Sequence, residues 1–244
     1  MTLKIMLDAG HGPNTPGKRS PDGSLREFHF NSRVADVMRA ELEKYEGVTV
    51  YFAHEQLRDV PLKERTDRAN KLGVDVYVSL HANAGGGTGI ETFVHPKSSA
   101  KSREVAKAIQ AALIKATGMV DRGVKTADFH VLRETDMPAV LIEHGFMDNA
   151  ADLPKLKDDA FRVLCAKTNV KALTQVYGLK RKGAELVENN DVAGHWAEQS
   201  IKKAIANGVM SGYPDGTFGV NNPMTRAQFV AVLDKLGLLD RGTK

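Results

Sequence analysis

The sequence predicts an α/β fold: a twisted, largely parallel sheet flanked by helices on both faces, with a small, mainly helical module after it. Two patterns carry that expectation. Leu3–Leu7, Val48–Phe52, Val76–Leu80 and Ala139–Ile142 are short, nearly continuous apolar runs, as in strands buried on both faces. Longer stretches with helical spacing lie between them, and strands alternating with such helices favour a parallel sheet covered on each side.

In chain order, Leu3–Leu7 is the first strand. Val34, Val37, Met38, Leu42 and Tyr45 fall on one face of a helix that Gly47 would end. Val48–Phe52 and Val76–Leu80 are the next strands. Val105, Ile109, Ala112, Leu113 and Ala116 mark a helix between Ser98-Ser99 and Gly118. Ala139–Ile142 is a further strand, and a helix from Asp158 to Tyr177 closes the layer.

Residues 178–190 carry glycines and mixed charge without apolar periodicity and read as a linker. The expected divisions are therefore 1–177, 178–190 and 191–244. In the last, a helix over Trp196–Asn207 would turn Ala197, Ile201, Ala204 and Ile205 inward. Gly212-Tyr213-Pro214-Asp215-Gly216 is a turn by composition, and Thr225 and Gln228 have capping-box spacing ahead of Phe229, Val232, Leu233 and Leu236. About 50 residues make a marginal core. The module is expected to need a neighbour, either the first domain or another copy in a homo-oligomer.

Composition narrows the function. The chain has 244 residues, 42% hydrophobic and 26% charged, close to globular averages. Thirty-four basic against 30 acidic side chains give a net charge of +4, which favours an anionic surface. No dense Lys/Arg block marks a nucleic-acid binder. The single cysteine, Cys165, excludes an internal disulfide and a thiolate zinc cluster, and most simply is a buried apolar residue. No run approaches the roughly 18 apolar residues of a membrane span.

Three of the apolar runs lead into polar residues of catalytic type: Asp8-Ala9-Gly10-His11-Gly12, His81-Ala82-Asn83 and Glu143-His144-Gly145. Ligand sites in open parallel sheets gather at the carboxyl ends of the strands, so His11, His81 and Glu143 are expected to converge. Two histidines and a carboxylate form a familiar set for catalytic zinc. On composition, Glu143 is either the third ligand or the base, and Glu27 is the other candidate ligand.

Asp8-Ala9-Gly10-His11-Gly12, Gly23-Ser24-Leu25-Arg26-Glu27 with Asn31, Ser79-Leu80-His81-Ala82-Asn83 and Ile142-Glu143-His144-Gly145-Phe146 occur in that order. Together they resemble the four signature segments of zinc-dependent N-acetylmuramoyl-L-alanine amidases, the family often called amidase type 3. The resemblance runs from about residue 3 to 177. It implies one Zn2+ held by His11, Glu27 and His81, with Glu143 as catalytic acid/base. The substrate it implies is peptidoglycan, cut at the amide joining the lactyl group of N-acetylmuramic acid to L-alanine. Zinc would polarise the carbonyl and acidify a water, and Glu143 would carry the proton to the leaving nitrogen.

Asn31 would sit one turn from Glu27 as a supporting partner, and Asn83 would line the cleft; a structural role suits both equally. Arg65, in Glu64-Arg65-Thr66, matches a further family segment, and a structural salt bridge is its plainer role. His29 would point into solvent, while His54, His95, His130 and His144 lack a partner pattern and read as structural.

The last segment contains Asp191-Val192, His195-Trp196-Ala197, the Gly212–Phe218 turn and Thr225-Arg226-Ala227-Gln228-Phe229. These resemble one S-layer homology repeat. The resemblance implies binding to an anionic secondary wall polysaccharide, with Trp196 as an aromatic face and Arg226 as a forked donor for a carboxylate. Such repeats normally come in threes, and only one is present. The plainer roles are Trp196 packing the small core and Arg226 capping a carbonyl.

The combined expectation is a peptidoglycan hydrolase with a wall-targeting module. Met1–Leu7 is too short for a secretory apolar region, so an endolysin or autolysin made in the cytoplasm and acting at the wall after release is expected. A zinc peptidase of the stem or cross-bridge is the alternative enzyme, though His-Glu-x-x-His is absent. A non-catalytic wall-binding protein is the alternative of another class.

Overall fold

The computed structural model describes residues 2–182, 191–213 and 216–239, and the chain divides into two compact units, Met1–Lys180 and Arg181–Lys244. Most of the expected linker (183–190) and the Pro214-Asp215 part of the expected turn lie outside the described residues.

The first unit runs β1 (Leu3–Ala9), α1 (Glu27–Leu42), β2 (Val48–Phe52), α2 (Leu62–Leu72), β3 (Val76–Asn83), β4 (Ile90–Val94), α3 (Ala100–Thr117), β5 (Asp121–Thr126), α4 (His130–Arg133), β6 (Ala139–Phe146), α5 (Asp152–Lys157) and α6 (Asp159–Tyr177). The sheet order is β2-β1-β3-β6-β4-β5. The first four strands are mutually parallel; β4 is antiparallel to β6 and parallel to β5. The sheet is thus mostly parallel.

Alternate residues of the inner strands feed two cores. Ile5, Leu7, Val78, Leu80, Val140 and Ile142 pack under α1, α3 and α6, while Met6, Tyr77 and Leu141 pack under α2 and α4. Each fully buried aliphatic side chain contributes about 1.5–3 kcal/mol. The polar residues ending the apolar runs do not end the strands: pairing continues from Tyr77↔Ala139 through His81↔Glu143. His81 and Glu143 therefore sit opposite each other on rigid neighbouring strands.

α3 has the expected limits, with the Ser99 side chain accepting from the Ser102 N–H and Gly118 left-handed at φ 64°. α1 stops at Leu42, short of Tyr45, because the chain turns over Glu43–Tyr45 before Gly47 (φ 61°) leads into β2. Strands β4 and β5 are additions to the expected set. β5 is a polar edge strand, and β4 holds Glu91 between Ile90 and Thr92, which masks its apolar run.

In the second unit, α7 (Glu198–Ala206) begins after Trp196, later than the spacing implied, and α8 (Arg226–Lys235) starts from a complete Thr225/Gln228 capping box. Asp191 accepts the N–H groups of Phe218, Gly219 and Val220 at 2.6–3.0 Å, tying the start of the unit to its middle. Val192 is buried, whereas α7 and α8 contain no fully buried residue.

Candidate active site

The site is assembled at the carboxyl ends of β1, β3 and β6 and at the first residue of α1. After β1 the chain turns sharply, and His11 adopts the left-handed conformation (φ 65°), the one non-glycine among the described residues to do so. Gly10 precedes it because a Cβ there would collide with the His81 imidazole. Arg65, from α2, fastens this turn from below. Its guanidinium donates to Asp8 Oδ1 at 2.6 Å, to the Ala9 carbonyl at 2.7 Å, to the His11 carbonyl at 2.6 Å and to the Val60 carbonyl at 2.7 Å.

Glu27 is buried at the start of α1. Its Oε2 lies 3.3 Å from His11 Nε2 and its Oε1 2.9 Å from His81 Nδ1. One ligand atom from each of His11, Glu27 and His81 falls within 4.8 Å of the others. Burial opposes ionisation of Glu27, yet hydrogen bonds from the two histidines outweigh it and hold its pKa well below the usual range. Burial likewise opposes charge on His81, and Glu27 more than restores it, raising that pKa.

Glu143 faces the same cleft. Its Oε2 is buried without a hydrogen-bond partner, and burial raises its pKa to about 8. The cleft thus holds two carboxyl groups that their surroundings push apart, Glu27 toward the ionised form and Glu143 toward the protonated one.

The supporting residues are equally specific. Asn31 donates to the Gly10 carbonyl at 3.1 Å and to Glu27 Oε1 at 3.4 Å. Asn83 lines the cleft, and its amide donates to Glu91 Oε1 at 2.7 Å. Glu91 also accepts from Arg122 (2.7 Å) and Lys125 (2.5 Å), and it sits opposite Glu143 across the β4–β6 ladder. The β-branched and aromatic residues Ile90, Thr92, Phe93 and Val94 were the available signal for this strand.

His144 does more than fill space. It lies between the His81 carbonyl (3.1 Å from Nδ1) and the Asn169 amide (3.1 Å from Nε2), linking α6 to the strand that carries His81. Donation from Nδ1–H and acceptance at Nε2 satisfy both contacts with a neutral ring. Burial lowers its pKa to about 4. Cys165 is buried and reduced. In the second unit, Trp196 is 92% exposed and packs no core, and Arg226 is exposed at the first position of α8.

The sequence profile of the N-acetylmuramoyl-L-alanine amidases matches residues 5–175. The chain belongs to the N-acetylmuramoyl-L-alanine amidase family. A profile of the S-layer homology domain matches residues 190–230. The amidase is 38% identical over 180 residues to a sporulation-specific N-acetylmuramoyl-L-alanine amidase of Bacillus subtilis (strain 168), covering 73% of this chain and 70% of that one. It is 34% identical to the endolysin of Bacillus phage SPP1, covering 75% and 69% respectively. Among solved structures, the N-acetylmuramoyl-L-alanine amidase of Clostridium difficile 630 superposes with a TM-score of 0.70 at 30% identity, over 72% of this chain and 97% of that one. No helix among the described residues is long and apolar enough to cross a membrane.

Proposed function

We propose that the amidase hydrolyses the bond between N-acetylmuramic acid and L-alanine in peptidoglycan, using one Zn2+ held by His11, Glu27 and His81. The observation that carries this reading is the convergence of three ligand atoms within 4.8 Å beside the unpartnered Glu143 oxygen. Two imidazoles and one carboxylate are a donor set suited to zinc with an open coordination position. Bound there, zinc supplies Lewis-acid polarisation of the substrate carbonyl and a water acidic near neutrality.

The chain's own residues do the rest. Glu143 Oε2 takes the proton of the attacking water and delivers it to the departing amine nitrogen of L-alanine. Glu91 fixes Asn83 at the rim, while Arg65 and Asn31 hold the His11 turn in place through its backbone carbonyls. In the second unit, exposed Trp196, with its ring 5.6 Å from that of His195, and Arg226 offer an apolar face and a cation for an anionic wall polysaccharide.

Product analysis tests the assignment. Digested wall should release the amino group of L-alanine without new reducing sugar ends. Chelation should abolish that release and zinc restore it. New reducing ends, or amino groups from other residues alone, would overturn the reading.

A further inference from the structure

Helices α3 and α6 pack side by side on one face of the sheet. Their inward residues are mostly apolar, with Ser102, Gln110, Thr168 and Asn169 as buried polar exceptions; their outward positions are strongly biased in charge. Glu104 is the only acid in α3 and Asp159 the only one in α6, and both are already bridged, by Lys101 at 2.8 Å and Arg33 at 2.7 Å. Arg103, Lys107, Lys115, Lys167 and Lys171 are exposed, and none has an acidic partner among the described residues.

The arrangement costs the helices stability. Arg103/Lys107 and Lys167/Lys171 are like-charged pairs four residues apart, which repel by a few tenths of a kcal/mol each. Arg103 also places a positive charge in the first turn of α3, the end where the helix dipole disfavours it. An external anion relieves both penalties. Successive cations four residues apart lie about 6 Å apart along an axis, and packed helices stand about 8–10 Å apart. The result is a shallow cationic field without a groove-entering element, suited to a flexible single chain of anions rather than to a duplex.

We infer that the outer face of α3 and α6 is a docking surface for a linear phosphate-bearing polymer of the cell wall, separate from the glycan site proposed for the second unit. The choice of a wall polymer rests on the amidase reading, which places the enzyme among such chains. Docking there would retain the catalytic unit on the wall between cleavages and would weaken steeply with salt.

The full chain and its Lys107→Gln/Lys115→Gln/Lys167→Gln/Lys171→Gln variant should be titrated with fluorescently labelled poly(glycerol phosphate) at several salt concentrations. The variant should bind at least tenfold more weakly, with a log–log salt slope shallower by about three, as four lost contacts to a single-stranded polyanion imply. Lys167→Gln/Lys171→Gln alone should give about half that change in slope. Hydrolysis of a short soluble muropeptide should be equal in all three, which shows that the variants are folded. Unchanged polymer affinity in the fourfold variant would overturn the proposal. So would affinity that instead disappears with Trp196→Ala/Arg226→Ala, or tighter binding of duplex DNA than of the polymer at equal phosphate. Failure of the wild type to cut the muropeptide would sink the amidase reading while leaving the polymer measurement intact.

Discussion

Arg65 Nη1 lies 2.6 Å from Asp8 Oδ1, and both side chains are almost wholly removed from solvent. Burial alone would favour a protonated Asp8, and the guanidinium reverses that, lowering its pKa. The pair is a device for position: the same guanidinium grips the carbonyls of Ala9 and His11. Arg65→Ala strands a buried carboxylate and releases the turn. It should cost about 3–5 kcal/mol in urea unfolding and weaken zinc retention; a loss below about 1 kcal/mol, the value of a surface pair, would contradict the role.

Glu143→Gln should separate metal binding from chemistry. Glu143 is not among the three grouped residues, so zinc content should match wild type while turnover falls by about 10²–10⁴-fold. Metal analysis and amine release on the same sample decide it. A metal-free variant or a fully active one would refute the division of roles.

Gly10→Ala should damage the metal centre without unfolding the protein. The added Cβ overlaps the His81 ring, so the ring or the turn must shift. Competition with a zinc-binding dye should show at least tenfold weaker affinity, with an unchanged far-ultraviolet dichroism spectrum.

His54 predicts how stability follows pH. Its Nδ1 accepts the Ala9 N–H at 3.0 Å, and burial lowers its pKa to about 4 from an ordinary value of 6.5. A lowered folded pKa means that the unfolded chain binds the proton first as pH falls. The contribution is therefore complete above pH 6.5 and is lost progressively down to about pH 4, on the order of 3 kcal/mol. His54→Asn, whose Oδ1 can accept the same N–H, should flatten this part of the profile in denaturant titrations. An unchanged slope would rule His54 out as its source.

The parts legible in the sequence were those written in local pattern. Continuous apolar runs marked the four parallel strands, and Ser99 with Gly118 marked the ends of α3. The grouping of His11, Glu27 and His81 was expected from spaced motifs, since nothing in periodicity tells that the start of α1 meets the ends of β1 and β3. Glu91 escaped because its polarity reflects long-range partners, Arg122 and Lys125, more than 30 residues away. His144 looked idle for the same reason: its partners, the His81 carbonyl and Asn169, come from β3 and α6. Tyr45 was placed on α1 because periodicity carries no penalty for a turn that begins at Glu43, just after the last helical residue, Leu42.

The reversed direction of β4 has an architectural consequence. Its beginning, rather than its end, meets the catalytic rim, so the hairpin-like link over residues 84–89 opens beside the cleft. Both ends of that link are pinned by carboxylates: Asp148 receives the N–H groups of Gly85 and Gly86, and Asp152 those of Gly89 and Phe146. Cleft shape can thus be re-cut by exchanging the few residues between two fixed anchors, leaving the strands that carry the chemistry undisturbed.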